Sequence, residues 1–170
     1  MQGRTGRNGG RDRGPRGFSL IELLIVVAII LVIVAIAIPN FMRSRMAANE
    51  SATVQNMRAV VTANVVYSST YGTGYAPDLP TLGPPPGGGT PSLSNAALID
   101  DVLSSGVKSG YAFTYNPLPA AINGMIPGYT LNADPVTPGY TGTRHFFTDD
   151  SGVIRQNISA SATVNDVPIG

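Results

Sequence analysis

Hydrophobic and polar positions divide the chain into three regimes. From Phe18 to Ile38 run 21 residues with a single charge, Glu22. A bilayer-spanning helix needs about 20 apolar residues, so this stretch is long enough to cross one. It has no polar face, so apolar material must surround it on every side. Pro39 ends the run; it lacks an N–H and clashes with the carbonyl of Ala35, four residues back. The pattern therefore predicts a kink or break near residues 35–40, which either ends the span or softens it. From residue 40 the apolar positions become periodic: Met42, Met46, Val54, Met57, Val61 and Val65 recur at helical spacing, widened by Val60 and Val66. Arg43, Arg45, Glu50, Gln55 and Arg58 fall mostly on other faces. This predicts an amphipathic helix over 40–70, ended by Tyr71 and Gly72. Counted from Phe18 to Thr70 the two helical halves make 53 residues, roughly 80 Å long.

Beyond Tyr71 the pattern breaks up. Residues 71–108 read as a long connection containing the Pro84–Gly89 turn, with a brief helix from Ser94 to Ser105 stopped by Gly106. Alternation then predicts strands at Tyr111–Tyr115, Gly128–Ala133, Arg144–Thr148 and Val153–Asn157. The last two flank Asp149-Asp150-Ser151-Gly152, a hairpin turn. The sheet region is 109–158; the polar tail 159–170 reads as an edge or a loose end. The fold class is α+β: a long N-terminal helix, apolar then amphipathic, packed on a small antiparallel sheet of three or four strands. The domain units are 1–17, 18–39 and a head over 40–170.

Charge changes the reading of the first 17 residues. They hold five arginines (Arg4, Arg7, Arg11, Arg13, Arg16) against Asp12, and no side chain able to build a core. Beyond Gly17 six basic residues face nine acidic ones, a balance of −3. The head thus lacks the basic footprint of a nucleic-acid binder. An arginine-rich segment ending directly against a membrane-length run reads as a cytoplasmic flank. A secretory signal fits poorly, because the small residue Gly17 precedes the apolar run instead of following it.

The stretch Gly17-Phe18-Ser19-Leu20-Ile21-Glu22-Leu23-Leu24 and onward to Pro39 resembles the N-terminal signal of type IV pilins and type II secretion pseudopilins. The resemblance covers about a quarter of the chain. It implies removal of the leader, residues 1–17, by a prepilin peptidase that cuts between Gly17 and Phe18, with N-methylation of Phe18. It implies a role for Glu22 in filament assembly. It also implies partners: copies of the same chain and other pilins, an inner-membrane platform protein and an assembly ATPase. The expected path is a single-pass inner-membrane precursor, then a cell-surface filament or a periplasmic pseudopilus. The segment around Arg144, Phe146, Phe147, Asp149, Gly152, Ile154 and Arg155 resembles the closing hairpin of many pilins. The chain departs from the family in lacking a C-terminal disulfide, having no cysteine, and a recognisable calcium loop.

Elementary physics leaves two roles open for Glu22. After cleavage it is the fifth residue, in the first helical turn, where the helix dipole favours a carboxylate by about 0.3–1 kcal/mol. It then simply caps its own helix. Alternatively the amine of Phe18 on a neighbouring subunit pairs with it, since an unpaired carboxylate in hydrocarbon costs several kcal/mol. That pairing would select one axial register.

No catalytic, cofactor or metal site is expected. His145 is the only histidine, and it lacks a partnered nucleophile with an orienting acid. Asp149, Asp150 and Asn157 fall short of the six to eight oxygens calcium takes. Asp100-Asp101 reads as a solvated face. Tyr67, Tyr71, Tyr75, Tyr111, Tyr115, Tyr129 and Tyr140 read as structural strand and turn residues. Three functions remain: a pilin, a secretion pseudopilin, or a single-pass anchored binding domain that leaves Gly17, Phe18 and Glu22 unexplained.

Overall fold

A computed structural model describes residues 17–121 and 123–169. Helix α1 spans Leu20–Tyr71, and the chain divides into two units between Asn40 and Phe41. The break expected at residues 35–40 is absent from the helix: α1 continues through Pro39. Proline removes one main-chain hydrogen bond and costs about 3 kcal/mol. That is a local defect in a cooperative helix of 52 residues. The first unit's side chains from Phe18 to Ile38 are all exposed.

In the second unit α1 supplies the spine. Its buried line runs Glu50, Thr53, Met57, Val60, Ala63, Asn64 and Tyr67. Met57 and Val60 were expected there. Val65 and Val66 turn outward instead, 57% and 39% exposed, and Glu50, expected on a polar face, is only 8% exposed. The difference has a chemical cause: the buried polar residues find partners. Asn64 Oδ1 accepts the Ala76 amide at 3.2 Å, and Thr53 Oγ1 donates to the Asn49 carbonyl at 2.8 Å. A satisfied polar group can occupy the core face at little cost.

Gly72, with φ +68°, ends α1. Two one-turn helices follow, α2 (Leu79–Leu82) and α3 (Asp101–Ser104). The helix expected over 94–105 is thus real only in its last turn. Residues 96–99 instead donate their amides to the carbonyls of Thr81, Leu82 and Gly83 at 2.8–3.1 Å. Those external bonds displace the i→i+4 ladder. Asp100 then starts α3 by accepting the Leu103 amide at 3.1 Å.

Six strands form one antiparallel meander in chain order: β1 (Val107–Lys108), β2 (Tyr111–Pro117), β3 (Tyr129–Pro135), β4 (His145–Asp149), β5 (Arg155–Asn157) and β6 (Val167–Pro168). The four expected strands are present within a residue or two of their bounds. β1 and β6, two residues each, are too short to show alternation. β6 makes the tail an edge. In β3, Tyr129, Leu131, Ala133 and Pro135 are buried, while Thr130, Asn132 and Asp134 face the other side. The core joins Met57, Val60 and Tyr67 to Tyr111, Phe113, Leu131 and Phe146.

Gly142 packs directly against Tyr111: a β-carbon there would overlap the Tyr111 hydroxyl. Tyr111 is fully buried, and its hydroxyl donates to the Arg144 carbonyl at 2.8 Å. Gly142→Ala should therefore lower stability by about 1–3 kcal/mol through overpacking. Thermal melting of the detergent-solubilised chain should show a lower midpoint; an unchanged midpoint would contradict this packing.

Candidate processing and assembly site

Gly17 and Phe18 precede the first helical turn. Phe18 is 78% exposed, and a β-carbon on Gly17 would meet nothing within 4 Å. The fold itself therefore imposes no glycine at 17; any such demand must come from outside the chain. The arginines of the leader lie outside the described residues.

Ser19 is the residue on which α1 begins. Its carbonyl accepts the Leu23 amide at 3.2 Å, and its amide donates to Glu22 Oε2 at 2.9 Å. The sequence Ser19-Leu20-Ile21-Glu22 has the spacing of a capping box, in which the third-position glutamate reaches back to the first amide. This contact corresponds to one of the two roles left open for Glu22, that of capping its own helix. Around this polar corner the helix is bare. Ile21, Leu23, Leu24 and Ile25 are each more than half exposed, and α1 is long and apolar enough to cross a membrane.

A second constellation, in the head, escaped the sequence. Glu50 on α1 meets the chain entering β4. Its Oε1 accepts the amides of Thr143 and Arg144 at 2.8 and 3.1 Å, and its Oε2 accepts Arg144 Nε at 2.8 Å. Arg144 also donates to Gln156 Oε1 at 2.9 Å, with its guanidinium 5.5 Å from the Phe146 ring centre. Beside it Asn49 Nδ2 donates to the Thr141 carbonyl at 2.8 Å. Burial alone would raise the Glu50 pKa, but the Thr143 amide, the Arg144 side chain and the Arg144 amide outweigh it and hold it below its ordinary value. The cluster ties α1 to the sheet.

The residues weighed for cation binding are not brought together. Asn157 pairs across from His145, at the far end of β4 from Asp149. Its amide nitrogen donates to Asp166 Oδ1 at 2.8 Å, while Asp149 Oδ1 accepts the Ser151 amide at 3.0 Å. His145 Nδ1 lies 2.6 Å from Asp134 Oδ1. Asp100, expected as a solvated carboxylate, starts α3 and meets Lys108 Nζ at 2.7 Å. Of the tyrosines, Tyr67, Tyr111 and Tyr129 are buried, and Tyr115 stacks on Tyr129 at 5.1 Å.

Comparison with known proteins decides the family. The family described as a prokaryotic N-terminal methylation motif matches residues 12–38. The type IV major pilin protein PilA of Myxococcus xanthus is 48% identical over 54 residues, 32% of this chain but only 24% of that protein. The type IV wide pilus major component PilA4 of Thermus thermophilus is 30% identical over 156 residues, which cover 89% of this chain and 95% of that one. The chain belongs to the type IV pilins. No solved structure matches this pilin. Its likeness to the Thermus protein runs through helix and sheet alike. The Myxococcus match covers a much smaller part of the pilin, at higher identity.

Proposed function

We propose that this pilin is the structural subunit of a surface filament, cut between Gly17 and Phe18, N-methylated at Phe18, and polymerised through residues 18–39. The observation that carries this reading is the exposed apolar helix with one carboxylate in its first turn, on a chain alike over nearly its whole length to a pilus major component. A helix apolar on all faces must exchange lipid for something equally apolar. The same segment of other copies satisfies that demand. Before assembly the pilin is a single-pass inner-membrane protein with its arginine-rich leader in the cytoplasm. A prepilin peptidase removes that leader, and a platform protein and an ATPase drive extraction. Glu22 pairs with the Phe18 amine of a neighbour and so sets the register. Pro39 leaves one carbonyl without its helical partner and serves as the point where the filament flexes.

Electron microscopy with a gold-labelled antibody against the head tests the reading. Labelled filaments should project from wild-type cells and disappear on deletion. A secretion defect with no surface filaments would instead favour a pseudopilus.

A further inference from the structure

The sheet face turned away from the core holds a groove of about 690 Å³. Three carboxylates line it, Asp134, Asp149 and Asp150, and no lysine or arginine does. Asp134 is engaged by His145 and by Ser161 Oγ, which donates to it at 2.9 Å. Asp150 stands on the exposed turn after β4. A β-carbon on Gly128 would lie 3.3 Å from Asp150 Cγ and 3.0 Å from Leu118 Cδ1. An acid and an exposed apolar side chain thus sit together at the groove's edge. Burial, and the Asp150 and Asp149 carboxylates nearby, push the Tyr129 hydroxyl well above its ordinary value. The groove is a negative site with an apolar wall.

The complementary group lies on the same chain. Arg43 and Arg45 are exposed at the start of the head. Among the described residues the ion pairs are Lys108–Asp100, Arg144–Glu50 and His145–Asp134, and neither arginine takes part in one. Arginine suits the groove better than a compact cation. Its stem can lie on Leu118 while its planar fork meets carboxylate oxygens.

We propose that this groove takes the Arg43–Arg45 stretch of a second copy of the chain, an inference that rests on the polymer reading above. Two residues apart on a helix differ by about 200° in direction, so one arginine enters a given groove and the other points away. Each copy carries one groove and one arginine stretch. Such a contact joins unlike surfaces, and a repeated contact of that kind generates an open helical filament. It adds a polar lock between heads to the apolar packing of residues 18–39.

The absence of native cysteine makes the test clean. Full-length chains carrying Asp150→Cys with Arg43→Cys, or Asp150→Cys with Arg45→Cys, are assembled in cells and treated with a short bismaleimide. One pair should give a ladder of covalent oligomers on denaturing gels, and the single-cysteine variants none. Intact filaments without a ladder from either pair would overturn the contact. Asp150→Arg should cut filament yield roughly tenfold or more by like-charge repulsion. Combining it with Arg43→Asp or Arg45→Asp should restore the yield. Normal yield from Asp150→Arg, or rescue by neither partner, would overturn the proposal. So would filaments that give no ladder and fall apart on calcium chelation, which would make a metal ion the occupant. Wild-type cells without filaments would overturn the polymer reading itself, and this contact with it.

Discussion

Glu22→Ala should abolish filaments while leaving leader cleavage and membrane insertion intact. Magnitudes separate the two roles of this carboxylate. As a cap it accepts one amide, that of Ser19 at 2.9 Å. Losing a cap of this kind costs about 0.5–2 kcal/mol. A helix of 52 residues would fray by a turn and no more. As the partner of a neighbour's Phe18 amine within apolar surroundings, its loss leaves an uncompensated charge. Breaking a buried pair in that way costs about 3–5 kcal/mol. Repeated at every subunit, that cost prevents polymerisation. Glu22→Gln sharpens the comparison, because the amide oxygen still accepts from Ser19 but carries no charge. Processed, membrane-inserted and unassembled subunits from both variants are the expected result in fractionated cells. Normal filaments from Glu22→Gln would leave Glu22 with the capping role alone.

The second large effect belongs to the head. Glu50→Ala should destabilise it by about 3 kcal/mol. The carboxylate satisfies the Thr143 and Arg144 amides and pairs with Arg144 Nε. Each buried polar group left unsatisfied costs about 1–3 kcal/mol. The Arg144 side chain is 39% exposed and can turn to water, which keeps the total toward the low end for a broken buried pair. For a unit of this size the melting midpoint should fall by roughly 10 °C. Glu50→Gln keeps an acceptor for the amides and should lose about 1 kcal/mol. The pH response follows from the direction of the shift. The folded pKa of Glu50 lies below its ordinary value, so its contribution is fully present above the unfolded pKa, about 4.3. It is lost as pH falls through the folded value. Wild type should therefore lose more stability than Glu50→Gln between pH 5 and 3, on the order of the difference between them at neutral pH. Parallel pH profiles would contradict the assignment.

The processing signal is legible because it is local. Gly17, Phe18 and Glu22 stand at fixed spacing before an apolar run, and the Ser19–Glu22 cap lies within the same short stretch. The longer strands are legible because alternation over five to seven residues leaves a period. The Glu50 cluster is not legible, since Glu50 and Arg144 are 94 positions apart. A glutamate within an amphipathic helix reads as solvated until its partners are known. Thr53 and Asn64 also take core positions, Thr53 by donating to the carbonyl one turn back at Asn49 and Asn64 by accepting the Ala76 amide beyond the helix end. The segment 94–100 presents the opposite case. Its apolar spacing is helical, but the carbonyls of 81–83 offered its amides better partners.

Residues from Phe18 onward are proposed to become the shared core of a filament. Intact-mass analysis of subunits from sheared surface filaments tests this most directly. The mass should equal that of the chain beginning at Phe18 with one added N-methyl group. Filament subunits that retain Met1–Gly17, or that begin beyond Glu22, would contradict a core that starts at Phe18.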